Sequence, residues 1–248
     1  MTTITGPGGY YRHSPSALNL FAAAPAMFVL EKILGLKQVV GVPAHRGVAV
    51  EAGVAHGLNN PEADESDCFK IAYATYDTLT AMSGDERREK YRGNIPDMVT
   101  TALDELRPYG KPTNMQGAVT WHPEDLTYPV FGYYDFLWEE TGIVVDLKTT
   151  ERMPSSIKVP HARQVALYCG DNHDGRITYC TPKKVATYAL ENIREHRNAL
   201  HNMARKVEAF LALGNDPEFF VSITVPDLES FYWGDPAVRE LAFKHWGI

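Results

Sequence analysis

The sequence predicts an α/β fold in which a small central sheet is flanked by helices. Helical spacing of apolar residues dominates the first hundred positions, strand-like segments follow, and helical spacing returns towards the end. A length of 248 residues is enough for a substantial core. No internal repeat or long linker divides the chain, so we expect one domain.

Four helical segments precede the predicted strands. The first, residues 14–36, has Ser14 or Ser16 as a candidate N-cap, and Pro25 kinks or divides it. The fourth has a break near Pro96. The second to fourth segments are "HRGVAVEAGVAHGL", "DESDCFKIAYATYDTLTAM" and "GDERREKYRGNIPDMVTTALDEL".

The pattern then changes to short segments rich in Val, Ile, Tyr, Phe and Trp, bounded by Gly, Pro and Thr, which is typical of strands. A helix, "SIKVPHARQVALYCGD", precedes the last of them, and a long helix and a short C-terminal helix follow. The predicted strands are "GAVTWH", "YPVFGYYDFLWE", "GIVVDLKTT" and "GRITYCT".

The composition narrows the class of protein. A formal net charge of −7 does not suggest a general polyanion binder, although a local basic groove can act against an acidic background. Cys68, Cys169 and Cys180 are too far apart for a zinc ribbon or a disulfide framework, so we expect buried thiols. No apolar run approaches the roughly 20 residues that span a bilayer, and the start lacks a secretory signal. We therefore expect a cytoplasmic protein with no membrane partner.

The segment "GIVVDLKTT" ends a hydrophobic strand with an acid and a base two positions apart. Residues i and i+2 of a strand point to the same face, so Asp146 and Lys148 stand side by side. A solvated strand end explains this pattern, and so does half of a metal-dependent active site. In the second case the lysine orients or deprotonates a water, or stabilises charge on a phosphate.

A second carboxylate faces this strand if the preceding hairpin has a tight turn. A two-residue loop at Glu140 and Thr141 places Asp135 directly opposite Asp146. Opposed carboxylates destabilise a sheet unless a cation neutralises them, and hard divalent cations bind carboxylate oxygens. A three-residue loop with a bulge at Gly142 would instead move the register by one residue.

Polar residues on two predicted helices complete the candidate set. Gln164 and Tyr168 lie four positions apart and share one helix face, with His161 on the same stripe. They either position a phosphate, a water or the lysine, or Tyr168 belongs to the core and Gln164 is a cap. Glu51 lies among Val and Ala, where an unpaired buried carboxylate is costly, so it faces water or a cation.

Together these segments resemble the PD-(D/E)xK nuclease superfamily, and its RecB-like and phage-type exonuclease branch in particular. The similar motifs occur in the family's order: "RGVAVEAG", "GYYD", "DLKT" and "QVALY". The opening "SPSALNLFAAAPAMFVLEKILGL" is similar to the S-x-S-x-L-x-x-F start of RecB-type domains. The resemblance implies a restriction-endonuclease-like core with a small mixed sheet over about residues 14–181. A C-terminal helical extension over about 182–248 would complete a single nuclease domain, 1–248.

The resemblance also implies a metal site. Three carboxylates and a backbone carbonyl would bind the cation: Glu51, Asp135, Asp146 and the carbonyl of Leu147. Lys148 would activate the attacking water. RecB-type domains usually carry His where Glu51 stands, and Glu resembles the phage recombination exonucleases instead. We expect Mg²⁺, with Mn²⁺ able to substitute, and no iron–sulfur cluster, because that cluster needs four cysteines.

Further residues would contact the substrate. By the same resemblance, Gln164 and Tyr168 would organise the lysine and the substrate phosphate. Positive side chains at Arg46, Lys158 and Arg163 would help to bind DNA.

The implied reaction is hydrolysis of a DNA phosphodiester bond by a metal-activated water. We expect a Mg²⁺-dependent exonuclease in recombination, repair or DNA-end processing, located in the host cytoplasm if a phage encodes it. The alternatives are a structure- or sequence-selective endonuclease of the same fold and a non-catalytic DNA-binding module. No GxxxxGK[ST] motif is present, so no helicase motor shares the chain. The enzyme would act alone, as a homo-oligomer, or with a single-strand-annealing or recombination protein.

Overall fold

The structure, a computed structural model, describes residues 5–248, which form two compact units. The first unit contains the chain up to Val39, Thr120–Gly132 and Arg194–Ile248. The second contains Val40–Val119 and Tyr133–Ile193. All the predicted ligand, catalytic and substrate-binding residues belong to the second unit. The candidate site can therefore be described within that unit alone.

The helices begin and end largely where local signals predict. Ser14 caps the first helix, since its Oγ accepts a hydrogen bond from the Ala17 N–H at 3.2 Å, and Pro25 starts a separate helix. Asn94 interrupts the fourth predicted segment just before Pro96, as expected. The α-helices of the described residues are α1 (Pro15–Ala23), α2 (Pro25–Phe28), α3 (Val42–Asn59), α4 (Glu65–Leu79), α5 (Arg88–Gly93), α6 (Ile95–Leu106), α7 (Val159–Cys169), α8 (Ile193–Leu211), α9 (Pro217–Ser222) and α10 (Pro236–Trp246).

The strands form a mixed five-stranded sheet and a two-stranded sheet. The strands of the described residues are β1 (Asn114–Met115), β2 (Ala118–Trp121), β3 (Val130–Tyr133), β4 (Phe136–Trp138), β5 (Ile143–Thr149), β6 (Asp174–Cys180) and β7 (Val185–Ala189). The larger sheet has the order β1-β4-β5-β6-β7, in which only β5 and β6 are parallel, and β2 pairs with β3. The predicted small mixed sheet flanked by helices is confirmed.

The structure differs from the predicted elements in one division and in three elements that were not predicted. The segment predicted as one strand, "YPVFGYYDFLWE", is divided into β3 and β4, which belong to different sheets. The two-residue strand β1 and the edge strand β7 were not predicted. All residues of β7 are half-buried or exposed, so the strand lacks the alternation of apolar and polar residues that marks a strand with one buried face. Helix α9 was likewise not predicted.

Strand β5 has one apolar face, which packs into the core, and one polar face. Val145 and Leu147 pack into a cluster with α3, α4 and α6, in which Val50 and Leu103 are fully buried. Asp146 and Lys148 alternate with these residues and project from the other face. Because β5 and β6 are parallel, the connection between them must cross over the sheet, and α7 supplies that crossover. The fold therefore places α7 beside the polar end of β5.

The three cysteines have the environment that the sequence predicts. Cys68, Cys169 and Cys180 are buried free thiols, as predicted. Residues 5–248 include no helix that is both long and apolar enough to cross a membrane.

Candidate active site on β5

Asp146 and Lys148 form an ion pair at the polar end of β5. Lys148 Nζ lies 2.7 Å from Asp146 Oδ2, and the two side chains are 25% and 1% exposed. Asp146 Oδ1 is buried and accepts no hydrogen bond from any described residue. Burial alone would lower the pKa of Lys148, but the negative charges of Asp146 and Asp135 outweigh it and raise that pKa above its usual value. Lys148 is therefore a cationic hydrogen-bond donor in this arrangement.

The hairpin that carries Asp135 has the predicted register. Phe136 lies opposite Val145, which is the pairing that a two-residue loop predicts, and the shift by one residue does not occur. The connection itself is a short 3₁₀ turn, Glu139–Thr141, closed by Gly142 with a φ of 64°. Glycine adopts this left-handed conformation without a steric penalty. The tight turn thus brings the start of β4 to the level of Asp146.

Asp135 lies one residue before β4, where its side chain replaces a strand carbonyl. Its Oδ2 accepts a hydrogen bond from the Leu147 N–H at 2.6 Å, and this bond holds the carboxylate beside β5. Burial, followed by the charges of Asp146 and Glu51, raises the pKa of Asp135 well above its usual range. Three acids therefore influence one another at the end of the strand.

Glu51 reaches this region from α3. Gly47 allows the helix to approach the end of β5, because a Cβ there would lie 3.1 Å from Thr149 Oγ1. The Glu51 carboxylate is half-buried, and its Oε1 accepts a hydrogen bond from Gln116 Nε2 at 2.9 Å. Burial raises the pKa of Glu51 and Asp146 adds to this, whereas the Gln116 amide and Lys148 act in the opposite direction.

Gln116 is a further residue of the candidate site, and the sequence did not predict it. Its side chain holds Glu51, and its backbone N–H donates to the Asp135 carbonyl at 2.9 Å. It does so with a φ of 52°, a left-handed conformation that is uncommon for residues other than glycine. The only local signal is the Gln-Gly pair ahead of β2, which indicates a turn and no function.

Gln164 and Tyr168 lie on one face of α7, where the charge of Asp146 acts on Tyr168. Gln164 Nε2 donates a hydrogen bond to Tyr168 Oη at 2.7 Å. Burial raises the pKa of Tyr168, and the nearby charge of Asp146 raises it further. Tyr168 is only 6% exposed, so it is part of the core as well as a neighbour of the charged cluster.

The predicted DNA-binding cations occupy different environments. Lys158 is exposed immediately before α7, and Arg163 is half-buried on that helix. Arg46 is only 2% exposed, its Nη1 lies 2.6 Å from Glu151 Oε1, and its guanidinium lies 4.8 Å from the ring centre of Tyr91. Arg46 is therefore engaged within the protein, and its contact with DNA stays a prediction.

Comparison with known proteins identifies the family. A family model described as the PD-(D/E)XK nuclease superfamily matches residues 12–218, which is most of the chain. No curated protein matches. Sixteen chains of solved structures match. One, titled "Crystal structure of SSO0001", has 14% sequence identity and a TM-score of 0.36, and the match covers 76% of this chain and 96% of that one. The chain belongs to the PD-(D/E)XK nuclease superfamily, whose members cleave nucleic acids, DNA among them, with divalent metal ions.

The acidic residues fit such an ion in chemistry and charge. Carboxylate oxygens are the ligands that hard divalent cations prefer, and the unpartnered Oδ1 of Asp146 supplies one. Burial, which is the largest cause, and the negative charge of Asp146 raise the pKa values of Asp135 and Glu51, and a bound cation would favour the charged form of both acids. Within residues 5–248, no three His, Cys, Asp or Glu side chains are already grouped as a metal site. The donors are present, but their side chains are not gathered around a common point.

Proposed function

We propose that the protein is a Mg²⁺-dependent exonuclease that hydrolyses phosphodiester bonds of DNA, with Mn²⁺ able to substitute. The observation that carries this proposal is the buried Asp146–Lys148 pair on β5, with Asp135 tied to the same strand through Leu147. The exonuclease class and the RecB-like or phage-type branch are inferred from the motif similarity. RecB-type domains usually carry a histidine at the position of Glu51, and the glutamate is similar to the phage recombination exonucleases.

Four groups would hold the cation: the carboxylates of Glu51, Asp135 and Asp146 and the carbonyl of Leu147. When bound, a divalent cation polarises the phosphate, neutralises the leaving oxygen and lowers the pKa of a water. The hydrogen bonds to Asp135 and Glu51 fix these carboxylates while leaving other oxygens available. These hydrogen bonds restrain Asp135 and Glu51, and the side chains of the three acids would still have to gather around the cation.

Lys148 stabilises the developing negative charge. Its raised pKa keeps the ammonium protonated at neutral pH, so Nζ donates a hydrogen bond and does not remove a proton from the water while the acids are ionised. Asp146 holds Nζ at 2.7 Å, which orients the ammonium towards the attacking water or a phosphate oxygen. A fixed positive donor of this kind stabilises the transition state more than the ground state.

The face of α7 positions the reactants. The hydrogen bond between Gln164 and Tyr168 orders both side chains on the helix face that lies near Asp146. From there they would orient the lysine and the substrate phosphate. Lys158 and Arg163 lie at and near the start of the same helix and would attract the DNA backbone.

The biological setting forms part of the same proposal. The reaction would serve recombination, repair or DNA-end processing in the cytoplasm, that of the host if a phage encodes the protein. The enzyme would act alone, as a homo-oligomer, or with a single-strand-annealing or recombination protein.

A time course on linear and covalently closed circular duplex DNA tests this function, with Mg²⁺ and with chelator. We expect loss of linear DNA only, in Mg²⁺ only. Lys148→Ala should reduce the rate by about 10²- to 10⁴-fold, the usual contribution of a positioned catalytic side chain. Lys70→Ala is the matched control, because Lys70 is 72% exposed and pairs with Asp67.

Other outcomes would redirect the assignment. Cleavage of the closed circle would identify an endonuclease. Intact linear DNA after incubation of wild-type protein with Mg²⁺ or Mn²⁺ would reject the nuclease activity, and retained DNA binding would then indicate a binding module. Equal rates for wild type and Lys148→Ala would reject the proposed role of the lysine.

A further inference from the structure

A second polar cluster lies beside Lys148 and consists of Lys158, His161 and Tyr179. Tyr179 on β6 is the register partner of Lys148 on β5, so the two side chains share one face of the sheet. The His161 ring lies over Tyr179, with 5.6 Å between ring centres and 33° between ring planes. On α7, His161 occupies the same stripe as Gln164 and Tyr168. It is thus next to the ion pair without being part of it.

The hydrogen bonds favour the tautomer of His161 that carries its proton on Nε2. The backbone N–H of Lys158 donates to Tyr179 Oη at 3.1 Å, and an amide N–H can only donate. The phenol is an acceptor in that bond and keeps its own O–H free to donate. His161 Nδ1 lies 2.8 Å from Tyr179 Oη and is the acceptor for that O–H.

The remaining nitrogen is an available donor. Burial, together with the charges of Lys148 and Lys158, lowers the pKa of His161 to about 4, so the ring is neutral at physiological pH. A neutral imidazole that accepts at Nδ1 must carry its proton on Nε2. His161 is half-buried, and its Nε2 makes no hydrogen bond with any residue in the described part of the chain. A neutral, oriented N–H therefore lies beside Lys148 without an acceptor among residues 5–248.

We propose that His161 is a substrate-binding residue of the nuclease site, whose Nε2–H donates a hydrogen bond to a non-bridging oxygen of a DNA phosphate. The proposal rests on the proposed function, because it requires the substrate phosphate to reach the face of β5 that carries Lys148. Tyr179 acts as the positioning residue that selects the required tautomer.

Two substitutions at one position separate this role from a structural one. His161→Asn keeps an acceptor near the position of Nδ1 for the Tyr179 hydroxyl but removes the outer donor. His161→Gln places an amide donor near the position of Nε2. We expect His161→Asn to lower kcat/KM on linear duplex DNA by about 10- to 100-fold, as for loss of a hydrogen bond to a charged oxygen. His161→Gln should recover most of that loss.

A third variant tests the positioning role. Tyr179→Phe removes the hydroxyl that donates to Nδ1 and accepts from the Lys158 N–H, so His161 can also adopt the tautomer without a proton on Nε2. We expect a smaller loss of kcat/KM than for His161→Asn, with little further loss when the two changes are combined. If His161→Asn unfolds below the assay temperature, Tyr179→Phe carries the test, and a wild-type kcat/KM in that variant overturns the proposal.

DNA binding measured without cleavage distinguishes failure of the His161 contact from failure of the nuclease function. The Kd of fluorescently labelled linear DNA is measured for each variant in chelator, beside the kinetics in Mg²⁺. If wild type cleaves DNA and His161→Asn cleaves equally well, or better than His161→Gln, the proposal fails and the nuclease function stands. If wild type does not cleave, the nuclease function fails. The contact is then supported if His161→Asn weakens DNA binding and His161→Gln restores it, and is rejected if Kd is unchanged.

Discussion

The first unit contains a half-buried carboxylate, Glu208, and the second a buried one, Asp146, and the two have different hydrogen-bond partners. In the first unit, Glu208 accepts hydrogen bonds from the Thr127 and Tyr128 N–H groups at 3.0 and 2.8 Å, and His13 Nε2 lies 3.2 Å from its Oε1. In the second unit, Asp146 has one ion pair, and its Oδ1 accepts nothing from the described residues. Both oxygens of Glu208 therefore accept hydrogen bonds, whereas Oδ1 of Asp146 accepts none from the described residues.

The pKa directions follow this difference. Burial alone would raise the pKa of Glu208, but the two backbone donors and His13 outweigh it and hold that pKa below its usual value. For Asp135 in the second unit, burial and the neighbouring Asp146 and Glu51 raise the pKa well above its usual value. Three donors thus offset the effect of burial on Glu208, whereas Asp135 has one backbone donor and its pKa is raised by burial and by two neighbouring acids.

Asp146→Asn should produce the largest effect, because it removes the open carboxylate. We expect cleavage to fall by at least about 10²- to 10³-fold, as when a charge-stabilising group is lost. Mg²⁺ or Mn²⁺ should also raise the thermal midpoint of wild type and not of the variant, since a ligand that binds only the folded state stabilises it. Melting curves with and without metal measure this effect. Asp67→Asn, on an exposed surface, is the control, and metal-induced stabilisation that survives in Asp146→Asn would place the metal elsewhere.

Glu208→Ala should act on stability and not on chemistry. It leaves two backbone N–H groups and His13 without their acceptor, so we expect the free energy of unfolding to fall by about 2–4 kcal/mol. The rate of cleavage per folded molecule should not change. Denaturant unfolding and the DNA assay measure the two quantities, and Glu195→Ala on the exposed face of α8 is the control. A loss of activity at unchanged stability would contradict the comparison.

Asp135→Asn should stabilise the protein in chelator at alkaline pH. Because the folded pKa of Asp135 is raised, the folded state binds more protons than the unfolded chain above the unfolded value of about 4, so stability falls as pH rises through this range. Asparagine stays neutral and still accepts the hydrogen bond from Leu147. The thermal midpoint of the variant should therefore exceed that of wild type at pH 8 and vary less between about pH 5 and 8. Parallel pH profiles for the two proteins would show that the acids do not repel one another.

Substitution of Gln116 should have the smallest effect. Gln116→Ala and Gln116→Gly both remove the donor to Glu51, and each should lower cleavage by about 5- to 10-fold, the value of one hydrogen bond. Glycine accepts the left-handed backbone at this position, so Gln116→Gly should be about 1 kcal/mol more stable than Gln116→Ala. Cleavage at the wild-type rate in both variants would show that Gln116 does not position Glu51.

Local signals predicted much of the fold. The Ser14 cap, the separate helix at Pro25 and the break before Pro96 depend on a few neighbouring residues, and each is present. The hairpin register was also predictable, because the length of a tight turn determines which residues pair. The division of β3 from β4 was not predicted, although Gly132 and Asp135, which are residue types depleted in strands, interrupt the aromatic and β-branched run there.

The contacts of the site were less accessible to sequence reasoning. Gln116 meets Glu51 across 65 positions of the chain, and no local pattern indicates that pairing. Arg46 was predicted as a DNA contact from its charge, yet it lies buried against Glu151 and Tyr91. A charge in a sequence does not reveal whether a distant partner will cover it.

The sequence by itself determined that Asp146 and Lys148 are neighbours, because the side-chain period of a strand is two whatever surrounds it. Tertiary structure decided the rest. It tied Asp135 to Leu147, left Asp146 Oδ1 without a donor among the described residues, and placed His161 over Tyr179. Backbone geometry sets relations within one element, whereas hydrogen bonds between elements exist only after packing has brought distant segments together.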